Sequence, residues 1–123
     1  MIYVDGGTKG SRICLVDNFK QKIITKFRGN KPTNNELEYL AVIYALEYIN
    51  NNYKHKGVTI YTDSLLVTNQ INGKWRVTTE RLIPLYNKCI RKMTEKIKVV
   101  WVRRDSNLAG IYLEKGKLVL PHR

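Results

Sequence analysis

The chain has 123 residues and 14.4 kDa, room for one domain with a core of its own and none for a second. Its 22 Lys and Arg against 10 acids give a formal net charge of +12 and a pI near 9.9, which points to a polyanionic partner such as nucleic acid and argues against cationic or neutral ones. No apolar run approaches the roughly 20 residues that span a bilayer, and Met1-Ile2-Tyr3-Val4-Asp5 leads into no signal core, so a cytoplasmic protein that meets no membrane is expected.

Ile2 and Val4, then Ile13 and Leu15, alternate at period two around Asp5-Gly6-Gly7-Thr8-Lys9-Gly10, which reads as the turn of a hairpin. Asp17-Asn18 marks a second turn before a third strand over 22–27, and Gly29-Asn30-Lys31-Pro32 closes this three-stranded meander. From Thr33 the period changes. Leu37, Leu40, Ala41, Tyr44, Ala45, Tyr48 and Ile49 recur at three and four, the pattern of a helix with a broad buried face. Thr33-x-x-Glu36 after Pro32 is a capping box that starts it, and Asn50-Asn51-Asn52 ends it.

Residues 58–63 read as a strand feeding a short helix over 64–71, stopped by Asn72-Gly73. A second long helix is expected over 78–93, with Pro84 in its first turn or kinking it, then a buried strand over 97–103 that includes Val99 and Trp101. The alternation of strand and helix implies parallel pairing through right-handed crossovers. A last short helix follows Asn107 and ends at Lys115-Gly116-Lys117, leaving a short tail over about 116–123. Cys14 and Cys89 lie among apolar neighbours without Cys-x-x-Cys spacing. With only His55 and His122 to help they cannot build a zinc cage, and both are expected in the core as free thiols.

The placing of the acids matters most. Asp5 ends the first strand, Glu38 lies in the first turns of the long helix and Asp63 ends the fourth strand. If strands one and four are neighbours, the aspartates sit side by side and the helix can lower Glu38 onto the same spot. Three converging carboxylates repel unless cations lie between them, and hard oxygen ligands specify Mg²⁺ or Mn²⁺.

Taken together, Tyr3-Val4-Asp5-Gly6-Gly7, Thr33-Asn34-Asn35-Glu36-Leu37-Glu38 and Tyr61-Thr62-Asp63-Ser64 resemble the type 1 ribonuclease H family, in order and over nearly the whole chain. The resemblance implies one α/β domain over 1–123 with a ribonuclease H-like fold, a mixed five-stranded sheet with helices on both faces. It implies hydrolysis of the RNA strand of an RNA:DNA hybrid to 5′-phosphate and 3′-hydroxyl ends by two divalent cations, Mg²⁺ or Mn²⁺. Asp5 would bridge them, with Glu38 and Asp63 on opposite flanks. Asn34 and Asn35, beside Thr33, resemble residues that meet the hybrid in its minor groove. Gly6 and Gly7 are read as small so that backbone can approach the RNA 2′-hydroxyls.

Each motif also has a purely structural reading: Asp63-Ser64 as a helix cap, Asp5-Gly6-Gly7 as a hairpin turn, Thr33 and Glu36 as capping alone. Three departures from the family stand out. Its fourth carboxylate lies in an Asn-x-x-Ala-Asp pattern, where this chain has Asn107-Leu108-Ala109-Gly110-Ile111. Either Ile111 or Gly110 takes the acid's place, leaving Asp105 or Glu114 as candidate substitutes. The region of a His-bearing loop reads Arg103-Arg104-Asp105-Ser106, and Arg104 offers a bidentate phosphate contact instead. A basic protrusion is also missing: only Asn72-Gly73-Lys74-Trp75-Arg76-Val77 separates two helices, and Trp75 either packs on the DNA strand or anchors the helix pair. A monomeric nuclease with no protein partner is expected. The runner-up is a non-catalytic nucleic-acid-binding domain on the same fold.

Overall fold

The computed structural model describes residues 1–7, 11–18, 20–25, 31–54 and 56–116, with 21–25 described through their backbone. The expected turn at 8–10, Phe27, Gly29, Asn30, both histidines and the tail beyond Gly116 lie outside the described residues.

Three antiparallel strands open the chain: β1 (Ile2–Gly7), β2 (Arg12–Asp17) and β3 (Lys20–Thr25). Helix α1 (Asn34–Asn52) leads to β4 (Val58–Thr62), the short α2 (Leu65–Ile71), α3 (Ile83–Lys92) and β5 (Ile97–Trp101). A 3₁₀ turn over Arg104–Ser106 precedes α4 (Leu108–Lys115). The sheet runs β3-β2-β1-β4-β5, with β4 parallel to both β1 and β5, so the expected mixed five-stranded sheet is present.

Period-two alternation decides which side chains meet which helices. Ile2, Val4, Ile13, Leu15, Ile60 and Val99 face α1, α2 and α3, where Leu37, Val42, Leu46, Ile49, Val67 and Cys89 complete the main core. The intervening Cys14 and Val16 face the other way, onto Leu108, Ala109 and Leu113 of α4. Helices therefore cover both faces. Both cysteines are free and buried, and burial pushes each thiol up to about 12, as expected of core residues.

The capping box is complete, Thr33 Oγ1 accepting from Glu36 N–H at 3.2 Å and Glu36 Oε1 from Thr33 N–H at 2.9 Å. At the far end of α1, the hydroxyls of Tyr48 and Tyr53 donate to buried Asp17 at 2.7 and 2.6 Å, which ties the helix to the end of β2. Ser64 caps α2 through Val67 N–H at 3.2 Å, and Gly116 ends α4 with a positive φ of 71°.

Four expectations change. Asp5 does not end β1, because Gly6 and Gly7 stay paired with Ile13 and Arg12 rather than forming a turn. The second hairpin turns at Asn18 with φ 49°, so pairing resumes at Lys20 and β3 starts two residues before the expected 22, while the expected end over 26–27 lies outside the described residues. Helix α3 starts at Ile83 and not at 78, since Pro84 has no N–H for the carbonyl of residue 80 and its ring resists helix before it. Strand β5 is an edge strand that stops at Trp101. Ile97 and Val99 are buried, but Trp101 lies beyond the core and is exposed.

Glycine at position 6 is required by packing. A Cβ there would lie 2.5 Å from the Leu37 carbonyl carbon and oxygen, inside van der Waals contact with backbone. Gly7 is under no such demand, its nearest neighbour being Leu113 Cδ1 at 3.8 Å. Gly6→Ala should therefore cost about 3 kcal/mol and Gly7→Ala much less, which urea midpoints of the two variants would measure.

Candidate active site

Parallel pairing of β1 with β4 in the register Tyr3↔Tyr61 brings the two strands' ends together, with Asp5 two residues beyond Tyr3 and Asp63 two beyond Tyr61. Helix α1 crosses β1 at Gly6, and the residue after Leu37 is Glu38. Its Oε1 accepts the Gly6 N–H at 2.6 Å. Asp5, Glu38 and Asp63 each present a carboxylate oxygen, all within 4.8 Å of one another, with Glu38 buried and the aspartates half-buried.

This closeness has an electrostatic cost. Burial raises the Asp5 carboxyl to about 6, the Asp63 charge pushes the same way, and contacts with Glu38, Arg104 and the Gly6 N–H oppose the shift. Burial and then the Asp5 charge raise Glu38 to about 9, against the pull of the Gly6 N–H. Asp63 also raises Glu38, so Asp5 and Glu38 are each acted on by both other acids. A divalent cation among the three would remove the repulsion, and an all-oxygen donor set fits Mg²⁺ or Mn²⁺.

The other predicted residues fall into two groups. Thr33, Asn34 and Asn35 are exposed at the start of α1, where Asn34 and Asn35 precede Glu38 by four and three residues and so lie one turn away on its side of the helix. Arg104 is exposed in the 3₁₀ turn, close enough for its charge to act on Asp5. Trp75 is 47% exposed in the loop after α2, whose Lys74 and Trp75 N–H groups return to the Asn69 carbonyl. About half of its surface is open, and it lines a groove with Gln70 of α2 and Ile83, Tyr86 and Asn87 of α3.

Neither Asp105 nor Glu114 joins the carboxylate group among the described residues. Asp105 pairs with Arg103 at 3.6 Å in the open, and Glu114 is exposed in the last turn of α4. Of the two residues that sequence left at the fourth acid's place, Gly110 faces the site. A Cβ on it would lie 3.3 Å from Asp5 Oδ2 and 3.5 Å from Asp63 Oδ2.

Two residues of the site were not singled out by sequence. Asn107 Nδ2 donates to Asp63 Oδ2 at 3.2 Å and to the Val4 carbonyl at 2.9 Å, and Trp101 Nε1 donates to the Asp63 carbonyl at 3.1 Å. An Asn before a helix announces a cap; its second set of bonds depends on tertiary neighbours.

The reverse transcriptase-like family model matches residues 8–114, most of the chain. The chain belongs to that family. A curated relative, the ribonuclease H of Ehrlichia ruminantium (strain Gardel), is 27% identical over 97% of this chain and 90% of its own length. The crystal structure of RNase H1 from the halophilic archaeon Halobacterium salinarum NRC-1 superposes with a TM-score of 0.72 at 23% identity, covering 91% of each chain. LC11-RNase H1 in complex with an RNA/DNA hybrid gives a TM-score of 0.70 at 24% identity, covering 86% of each chain. The ribonuclease H resemblance read from the sequence thus holds in family and fold.

The raised carboxyls set a pH dependence. Unfolded Glu38 ionises near its ordinary 4.5, whereas folded Glu38 keeps its proton to about 9, so between these values the folded state binds more protons and stability falls as pH rises. Asp5 adds to the fall between its ordinary 3.8 and about 6. In chelator, urea midpoints should decline across this window, and Glu38→Gln should flatten the decline. Added divalent cation should lift stability at the alkaline end.

Proposed function

We propose that the protein is a metal-dependent endonuclease that hydrolyses the RNA strand of RNA:DNA hybrids, leaving 5′-phosphate and 3′-hydroxyl ends. The convergence of Asp5, Glu38 and Asp63 within 4.8 Å in a protein of net charge +12 carries the reading. A module that only binds phosphates gains nothing from acids placed where they dock. Family membership and the hybrid-bound LC11-RNase H1 support the substrate class. We read the protein as a cytoplasmic monomer; no helix among the described residues is long and apolar enough to cross a membrane.

Asp5, Glu38 and Asp63 would hold two divalent cations, Mg²⁺ or Mn²⁺. When bound, the cations supply an activated water and positive charge for the phosphate and the leaving 3′ oxygen. The chain's residues prepare that chemistry. The Gly6 N–H fixes the Glu38 carboxylate, and Arg104 adds a fixed positive charge beside Asp5 for the incoming phosphodiester. Asn34 and Asn35 meet the minor groove from the start of α1, Gly7 lets backbone approach the 2′-hydroxyls, and Trp75 packs on the DNA strand. The remaining basic surface binds phosphates without regard to sequence.

Gly110 favours a second reading, a non-catalytic hybrid-binding domain, because it leaves the site with three acids among the described residues. Cleavage of an end-labelled RNA:DNA hybrid with Mg²⁺ and with Mn²⁺, beside single-stranded RNA and both homoduplexes, separates the two. Hybrid-specific cleavage that falls at least about 100-fold in Asp63→Asn is expected, since even outer-shell partners of metal sites reach that figure. Salt-dependent binding without cleavage in either metal would leave the binding domain. Gly110→Ala should weaken cation binding by crowding Asp5 and Asp63, shown by a higher Mn²⁺ concentration for half-maximal cleavage.

A further inference from the structure

Asn107 is fully buried, and its side chain makes three hydrogen bonds. Oδ1 accepts the Ala109 N–H at 3.1 Å and caps α4. Capping explains that bond alone, since Ser, Thr or Asp would serve equally. The amide nitrogen has a different task. It donates to the Val4 carbonyl, on the peptide that leads into Asp5, and to the Asp63 carboxylate beyond β4. One NH₂ group therefore spans the two aspartate-bearing strands.

These strands end in like charges that repel each other, as the effect of Asp63 on Asp5 records. Gly110 places no side chain between Asp5 Oδ2 and Asp63 Oδ2, so α4 offers no acid to take up a shared cation. What α4 does offer, from the residue at its N-cap, is the amide of Asn107 on Asp63 Oδ2. Asp at this position would cap the helix but add a fourth negative charge without the donor. Ser would cap it but fall short of both oxygens.

Resting on the cation-dependent reading above, we infer that Asn107 is a positioning residue for the divalent cation held between Asp5 and Asp63. It fixes the Asp63 carboxylate relative to the Asp5 backbone, and so sets the spacing of the two ligands before the cation arrives. Its contribution goes to cation affinity, and the hybrid is bound by other residues.

The test is Asn107→Ser on the full chain, which keeps a cap oxygen for Ala109 and removes the amide. Mn²⁺ alone is titrated calorimetrically without substrate, and hybrid cleavage is followed across Mn²⁺ concentrations. Mn²⁺ affinity should fall by about tenfold, the loss typical of an outer-shell partner, and the Mn²⁺ concentration for half-maximal cleavage should rise in step. At saturating Mn²⁺, kcat should largely recover, with KM for the hybrid unchanged. A circular-dichroism melt establishes that the variant is folded at the assay temperature, and Asn107→Thr, a bulkier cap, replaces it if it is not. A folded variant that binds Mn²⁺ as tightly as the wild type, with only its Tm lowered, makes Asn107 a structural cap and overturns the inference. A wild-type protein that takes up no Mn²⁺ and cleaves no hybrid overturns the proposed function, and this inference with it.

Discussion

The close crossing of α1 over β1 at Gly6 is the constraint on which the rest of the structure depends. Leu37 backbone lies where any side chain at position 6 would stand, so helix and strand touch main chain to main chain. That approach brings the next residue, Glu38, within 2.6 Å of the Gly6 N–H. The same contact seals the main core, since Leu37, Val42, Leu46 and Ile49 pack on Ile2 and Val4 from the helix so placed. Packing and acid placement are one event here: a helix held away by a side chain at position 6 would lose both.

The site works against the protein's own stability. Ten acids serve a chain with 22 basic residues, yet three of them are gathered where burial and mutual repulsion disfavour their charges. Surface ion pairs would contribute little by comparison, as with the exposed Arg103–Asp105 pair at 3.6 Å. Acids clustered and perturbed in this way mark a candidate functional site. The net charge of +12 over the whole chain suits a polyanionic partner.

On the second face of the sheet, α4 packs beside the three acids without adding a fourth among the described residues. Gly110 leaves the space beside Asp5 and Asp63 open, while Asn107 ties β1 to Asp63 from beneath. Trp101, at the end of the edge strand, holds the Asp63 main chain through its indole N–H. Three residues from the end of β5 to the first turn of α4 thus shape one aspartate's surroundings without adding a ligand.

Elements whose signals are local were legible in the sequence. The Thr33–Glu36 capping box, the Asn-rich end of α1, the Ser64 cap and the Gly116 stop depend on a few neighbouring residues, and each stands where its pattern placed it. The three acids were legible because their motifs occur in order at strand and helix ends. Boundaries set by distant contacts were not. Gly6 and Gly7 look like a turn but remain in β1, because β2 pairs with them and α1 needs the space. Trp101 looks buried by period two but lies past the end of the core. Alignment left Gly110 and Ile111 equal, and only the packing of α4 against Asp5 and Asp63 chose between them. By itself the sequence determined the element types, through periodicity and capping, and pointed to the fold class and the three candidate acids through motifs that resemble the ribonuclease H family in order. The tertiary structure decided the spacing of the acids, the facing of Gly110 and the second bonds of Asn107. Those depend on which residues far apart in the chain are pressed together, and no local pattern encodes that.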